Sequence, residues 1–329
     1  MRILFAGTPA IAIPSLKTLS DMELEGEGVV LSGLLTRADA ARRHGQVEPS
    51  DVSAVAFQLD KGRKESGLPF IVQLKSEKLD SRAREEVAAL SPDLLVTFAY
   101  GRIFGPRFLA LFPLGGINIH PSLLPKYRGA SPIPAVILAG EKKTGVCIQL
   151  LAAEMDAGDI IAEAPLELSA RETTQSLSEK SAITAAHLLR ELLRNEDFAS
   201  RINAARPQEG EPVYCRQIKK EDGLIDWSKN ASQIDAQIRA FTPWPLSFTC
   251  RGKDTLIILE AEPLEAPPGM AIDAPPGTVL GTDKGRGILI QTGDGILAVS
   301  RLQWRTKKAL DWKAFCNGER DFIGVRLGR

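Results

Sequence analysis

Gly116-Ile117-Asn118-Ile119-His120-Pro121-Ser122-Leu123-Leu124-Pro125-Lys126-Tyr127-Arg128-Gly129 is the stretch on which the reading of this chain turns. It opens as a strand. Strand side chains alternate, so Ile117 and Ile119 take one face while Asn118 and His120 take the other. Two polar groups therefore leave a sheet side by side at a strand end, where open α/β sheets bind their ligands. Pro121 and Pro125 have a fixed φ and no N–H, so they end the ladder and stiffen the loop. Ser122, Leu123 and Leu124 between them can offer backbone N–H groups and an apolar wall to a flat ligand. Lys126, Tyr127 and Arg128 follow as a polar rim. A lone histidine at a strand end is more often structural than chemical. Asn118 on the same face, and the proline-bounded loop that follows, turn the reading towards chemistry.

Towards the N-terminus, Ile3 to Ala6 reads as a buried first strand, with Gly7-Thr8-Pro9 turning into a helix that reaches about Leu19. This start is not GxGxxG and reads as a tight turn that needs glycine. Val29 to Thr36 is a second strand. A helix follows over about Val52 to Glu65, then a strand from Pro69 to Val72 and a charged helix ending near Leu90. Asp93 to Phe98 has the continuous apolar character of a central parallel strand. It runs out into Ala99-Tyr100-Gly101-Arg102-Ile103, another loop at a strand's carboxyl end.

Towards the C-terminus, Ser131 to Leu138 reads as helical and Thr144 to Leu151 as a strand. Asp156 then lies on a glycine-containing turn between two strands. A turn aspartate usually caps its own backbone, a description that suits Asp159 better than Asp156. Thr174 to Arg194 is amphipathic, with Leu177, Leu188, Leu189, Leu192 and Leu193 on one side. His187 reads as a packed or partly exposed residue without a chemical role. The polar, Pro/Gly-bearing 206–212 segment reads as a linker, giving domains of 1–205 and 213–329. Beyond it come short β-rich runs (Thr255 to Leu259, Gly277 to Leu280, Gly287 to Gln291 and Ile296 to Leu302) broken by Pro-Gly and Gly-Asp-Gly turns, the pattern of a small barrel. Trp227, Phe241, Trp244 and Pro245 are expected to pack that domain. Arg301, Arg305, Lys307 and Lys308 cluster near Trp304, which suits an RNA backbone with stacking as well as it suits a solvated face.

The 329 residues give a prior of two domains, and 41 basic residues against 41 acidic ones exclude a global basic field. Any polyanion would have to be met by a local patch. The 213–329 part carries 17 basic and 14 acidic residues, the right sign but a small excess. Four scattered cysteines with no CxxC read as reduced thiols. The apolar run after Met1-Arg2 is too short for a signal-peptide core, and no run approaches the roughly 18 apolar residues of a membrane span. The expectation is a cytoplasmic protein with no membrane partner.

The run NIHPSLLPKYRGASPI resembles the formyltetrahydrofolate-dependent formyltransferase superfamily. Within it, FAGTP at 5–9, AYGRIF at 99–104, RGASPI at 128–133, MDAGDII at 155–161, RAFTPWPLSF at 239–248 and TGDGILAVSRLQ at 292–303 are similar to the methionyl-tRNA formyltransferases. INIHPSLLPKY by itself is also close to the loop of the phosphoribosylglycinamide formyltransferases; RGASPI and the long second domain favour the tRNA family. The resemblance implies an α/β fold, a Rossmann-like, mostly parallel sheet with helices on both faces, followed by a smaller OB-like β-barrel. It implies 10-formyltetrahydrofolate as co-substrate, methionyl-initiator tRNA as acceptor, no metal and a monomer. Asn118, His120 and Asp156 match the family's catalytic residues. Tyr100, Gly101 and Ile103, with Ser122, Leu123, Leu124 and Pro125, would line the folate pocket. The Arg37–Ser50 loop matches a basic insertion that contacts the tRNA acceptor end, but it is poorer in Lys, Gly and Pro than the family pattern. Arg42 and Arg43 there, and Arg305, Lys307 and Lys308 in the second domain, are the tRNA candidates.

Formyl transfer to an amine needs a donor aimed at the developing oxyanion and a group that handles a proton near neutrality. Asn118 supplies the first without titrating. Asp156 would orient His120 and raise its pKa, so that a charged imidazole stabilises the oxyanion, and could also hold a water that shuttles the proton. Other acceptors also fit these residues: a small amine, or water in a hydrolase. An RNA-binding module on an inactive scaffold is a different class, and the intact Asn118, His120 and Asp156 argue against it.

Overall fold

The computed structural model describes residues 1–41, 47–194, 198–264, 274–319 and 321–328. Arg42, Arg43 and His44 lie outside them. The backbone divides into two compact units. One comprises Met1–Pro132, Lys143–Glu167 and Ser178–Cys215; the other Ile133–Lys142, Leu168–Leu177 and Arg216–Arg329.

Among the described residues the first unit is built on a seven-stranded sheet: β1 (Arg2–Gly7), β2 (Val30–Thr36), β3 (Gln73–Lys75), β4 (Leu94–Phe98), β5 (Gly116–His120), β6 (Lys143–Leu150) and β7 (Ile160–Glu167). Their order across the sheet is β7-β6-β5-β4-β1-β2-β3. β1 to β5 pair in parallel and β6 and β7 add antiparallel. Ile3 and Phe5 meet α1 (Ile13–Leu24) and the α2 residues Val52 and Ala56 (helix Asp51–Glu65) on one face. Leu4 and Ala6 meet Phe104, Phe108, Phe112 and Val87 of α3 (Ser81–Ala89) on the other. Burial on both faces is what makes β1 a continuous apolar run. Leu188, Leu189, Leu192 and Leu193 of α4 (Thr174–Leu193) close the first face over β5 and β6. Ser50 caps α2 by accepting the Ser53 N–H at 3.3 Å, a contact worth about 1 kcal/mol. Arg63, fully buried, reaches Glu23 at 2.7 Å and ties α2 to α1.

The chain steps outward from β1 through β2 to β3, then returns to the other side of β1 for β4 and β5. The carboxyl ends of β1 and β4 thus flank a reversal of strand order, the crevice where such sheets bind ligands. Gly7 pairs with Phe98, and Phe98 with Ile119, so the loops starting at Thr8, Ala99 and Pro121 leave the same edge. The strand expected at Pro69 to Val72 forms instead at Gln73–Lys75. Pro69 has no N–H to give a ladder, and the Pro69 and Val72 carbonyls serve Arg63 and Leu34.

The second unit holds α5 (Ala231–Ala240) and a six-stranded antiparallel sheet among the described residues: β8 (Ser247–Arg251), β9 (Asp254–Leu264), β10 (Val279–Asp283), β11 (Gly287–Gln291), β12 (Ile296–Trp304) and β13 (Leu310–Asp311). The order is β8-β9-β12-β11-β10, with β13 on β12. Between the two edges runs the C-terminal segment. Val279 N–H donates to Val325, Leu327 N–H to Gly277, and Gly328 N–H to Cys250 at 3.0 Å, which curls the sheet towards closure. Trp227, Ile234, Ile238, Leu256, Ile258 and Val299 fill its interior. Trp227 and Phe241 are buried as expected, but Trp244 is 58% exposed: it sits in the 241–245 turn, between two prolines that keep it out of any packed ladder. No helix among the described residues is long and apolar enough to cross a membrane.

Candidate active site

Sheet register assembles the centre. On β5 the alternation puts Ile117 and Ile119 into the core and sends Asn118 and His120 to the opposite face. Antiparallel pairing with β6 places Gln149 across from Asn118 and Cys147 across from His120. The turn after β6 then folds back so that Asp156 reaches all but one of these. Its Oδ1 accepts from Asn118 Nδ2 at 3.2 Å and Gln149 Nε2 at 3.1 Å, and lies 3.6 Å from His120 Nδ1. Its Oδ2 accepts the Gly129 N–H at 2.8 Å. The amide, the imidazole and the acid singled out in the sequence are therefore brought together, along with Gln149, which was not.

Two close approaches hold the turn in this shape. Asp156 has a φ of +53°, a left-handed conformation unusual for a residue with a Cβ. Two residues on, a Cβ at Gly158 would stand 1.8 Å from the Leu150 carbonyl oxygen. Gly158→Ala is therefore expected to destabilise the protein by about 1–3 kcal/mol and to lower activity by moving Asp156; thermal melts with parallel rate measurements check both. Gly129, at φ +115°, passes 2.2 Å (Cβ position to oxygen) from the Cys215 carbonyl, in the short parallel pairing of Arg128–Gly129 with Tyr214–Cys215.

His120 is 4% exposed. Its Nε2 donates to the Tyr127 carbonyl at 2.8 Å; since a carbonyl can only accept, Nε2 carries the proton and Nδ1 faces Asp156. Burial pushes the imidazole pKa below its usual 6.5, and this outweighs the upward pull of Asp156 and of the Tyr127 carbonyl. The expected rise is thus reversed: His120 rests neutral because desolvation is the larger effect. A depressed folded-state pKa means the unfolded chain binds the proton first, so stability is lost as pH falls from the ordinary imidazole value towards the depressed one. Thermal melts on acidification are expected to show a shallower loss for His120→Gln than for the native protein.

The proline-bounded loop is more self-contained than expected. The Ser122 N–H returns to the His120 carbonyl at 2.9 Å, and its buried hydroxyl donates to the Lys126 carbonyl at 2.7 Å. The Leu124 N–H points at Cys147 Sγ at 3.4 Å. Neither N–H is left over for a ligand: the tight turn takes the first, and Cys147 on β6 takes the second. What remains is the apolar wall: Leu124 packs with Cys147, Ile160 and Leu123. Burial pushes the Cys147 thiol up to about 12, which makes it packing rather than a nucleophile.

On the neighbouring loop Tyr100 is 2% exposed and stacked on Phe104 at 5.3 Å, Gly101 has φ +77°, and Ile103 is 71% exposed. The Tyr100 hydroxyl, Thr8 Oγ1 and Arg102 Nε are buried and find no partner among the described residues. All three residues belong to the loops that follow the carboxyl ends of β1 and β4.

Sequence reasoning gave no role to Gln149 or Gln208. Gln149 interrupts the apolar Val146-Cys147-Ile148 run of β6 on the face shared with Asn118, a signal that was available. Gln208 lies in the segment read as a linker, where no periodicity could mark it. In the second unit Arg305, Lys307 and Lys308 are exposed on the turn after β12. Trp304 beside them is not a free stacking face: it packs on Phe315 and donates to Glu319 at 3.0 Å.

The model of the family described as "Formyl transferase" matches residues 1–193, and that of "Formyl transferase, C-terminal domain" matches 217–320. The methionyl-tRNA formyltransferase of Treponema denticola is 49% identical over 98% of this chain and 98% of its own length. That of Treponema pallidum is 43% identical over 100% and 99%. Among solved structures, an N-formyltransferase from Helicobacter canadensis, in complex with folinic acid and dTDP-3-aminofucose, superposes with a TM-score of 0.62 over 90% of this chain and 98% of that one, at 19% identity. That is a likeness of fold.

Proposed function

The chain belongs to the formyl transferase family, and from that premise we propose that it transfers the formyl group of 10-formyltetrahydrofolate to the α-amino group of methionine on initiator tRNA. The observation that carries this reading is the meeting of Asn118, His120 and Asp156 across one pair of strands, in a chain matched end to end by methionyl-tRNA formyltransferases. The product is N-formylmethionyl-tRNA.

The neutral amine attacks the formyl carbon, and its carbonyl oxygen takes the negative charge. Asn118 gives one amide hydrogen to Asp156, and its second is aimed at that oxygen. Neutral His120 takes the proton of the attacking nitrogen at Nδ1, directly or through a water held by Asp156. The imidazolium so formed has the Tyr127 carbonyl on one N–H and Asp156 on the other, which is why a buried ring can carry the charge for a moment. The carbon–nitrogen bond to the folate then breaks as the proton passes to the leaving nitrogen. This ordering follows from the ring's resting neutrality.

The folate is held between the Tyr100, Gly101, Ile103 loop and the Ser122, Leu123, Leu124, Pro125 loop. Support comes from their departure from adjacent parallel strands and from the orphaned Thr8, Tyr100 and Arg102 groups, which fit a ligand rich in polar ring edges. Catalysis is assigned to residues 1–205 and tRNA binding to 213–329, with Arg305, Lys307 and Lys308 exposed for phosphate contacts. The protein works as a cytoplasmic monomer.

The test is a transfer assay with labelled formyl donor and, as competing acceptors, charged initiator tRNA, charged elongator tRNA and small amines. Label is expected on initiator methionyl-tRNA far ahead of the rest. Preferential labelling of a small amine, or release of free formate, overturns the reading.

A further inference from the structure

Gln208 holds a position that the proposed chemistry does not yet use. Its Nε2 donates to the Asp156 carbonyl at 2.8 Å, to the Gly158 carbonyl at 2.8 Å and, at 3.3 Å, to Gln149 Oε1. Its Oε1 accepts from Arg128 Nε and Nη2 at 2.9 and 2.7 Å. Arg128, whose side chain is 12% exposed, also has Tyr214 OH at 3.4 Å and Glu154 at 3.7 Å.

A guanidinium has donors only. Arg128 therefore fixes which end of the Gln208 amide faces it, and the NH₂ must point at the turn. That NH₂ meets Gln149 Oε1, so Gln149 in turn must present its own NH₂ to Asp156 Oδ1, as it does at 3.1 Å. Two amides in series, each free to flip by itself, are polarised in one direction by a single cation. Either amide reversed would set oxygen against oxygen at Asp156 or at the two turn carbonyls. The turn also needs pinning, because Asp156 sits at φ +53°, where a Cβ-bearing residue stays only if its surroundings hold it.

We propose that Gln208 is a positioning residue: through Arg128 on one side and Gln149 on the other, it locks the Asp156 turn and aims the carboxylate at Asn118 and His120. This rests on the formyl-transfer reading for its kinetic consequence, but not for its geometry. Gln208 touches no reacting atom, so it acts on the chemical step by way of Asp156.

Two variants separate polarity from packing. Gln208→Met keeps the volume and loses the amide; Gln208→Glu keeps an acceptor for Arg128 but turns oxygen towards the carbonyls, and it carries the test alone if the first fails to fold. The expected result for both is a single-turnover rate lower by on the order of 10²-fold, with KM for the formyl donor within about twofold and the melting temperature close to native. In an Asp156→Ala background the same changes are expected to cost nothing further, the signature of one shared pathway. A crystal structure of Gln208→Met is expected to show the Asp156 carboxylate off the Gly129 N–H and Asn118. Native rates in either folded variant, equal losses in both backgrounds, or an unmoved Asp156 overturn the proposal. If the native protein forms no formylated methionyl-tRNA, the function proposed above falls, and the crystal structure still decides the positioning claim.

Discussion

His120→Ala is expected to lower the rate of formyl transfer by about 10²–10⁴-fold, the usual worth of a positioned proton acceptor. The ring is buried, and its Nδ1 faces Asp156, so no solvent group replaces it. The Tyr127 carbonyl loses its imidazole donor as well, though the Cys215 thiol still reaches it at 3.4 Å, and the lost bond costs about 0.5–1.5 kcal/mol of stability. The two losses are distinguishable. A destabilised but folded protein binds the donor normally and fails in the chemical step, so single-turnover rates and donor affinity should separate. Turnover close to native in a folded His120→Ala protein would remove the imidazole from the mechanism. Loss of native activity on mild acidification should follow protonation of the attacking amine and not of the ring, because a depressed pKa keeps the imidazole neutral below its ordinary value.

Asn118→Ala is the second large effect, about 10²–10³-fold in kcat or 2.7–4 kcal/mol of transition-state stabilisation, as for other single donors to an oxyanion. The loss should appear in kcat with KM nearly unchanged, since the oxygen carries little charge in the ground state. Removing Asn118 also takes one of the N–H donors from Asp156, but Gln149 and the Gly129 N–H remain, so the carboxylate should stay in place. Unlike His120, an amide does not titrate: the shape of the rate against pH should match the native one while its height falls. A changed shape would mean that Asn118 acts through the imidazole rather than on the substrate.

The sheet and the pairing of Asn118 with His120 on one strand face were legible from sequence because their signals are local, whereas Asp156 stood out only by its match to the family pattern. Ile3 to Ala6 is apolar throughout since both of its faces are covered, and the alternation of Ile117 to His120 sorts core from chemistry without knowing the neighbours. The Asn230–Gln233 capping box that starts α5 is an equally local signal. What could not be read depends on register or on competition. Gln149 matters only because β6 runs antiparallel to β5 and sets it across from Asn118. Gln208 matters only because the segment after α4 returns to the turn at Asp156. The sign of the His120 shift was missed because a sequence reveals a neighbouring carboxylate but not the burial that outweighs it. The loop N–H groups of Ser122 and Leu124 were misjudged for a related reason: the turn itself uses the first, and Cys147 of the adjacent strand uses the second.

The pairing of Arg128–Gly129 with Tyr214–Cys215 has a consequence for how the enzyme comes into being. Until Cys215 has left the ribosome, Gly129 has no Tyr214–Cys215 segment to settle against, so the loop that gives its N–H to Asp156 is braced from one side fewer. The last brace of this loop is therefore supplied by a segment from far downstream, laid back beside it. Contacts this distant along the chain are slow to form.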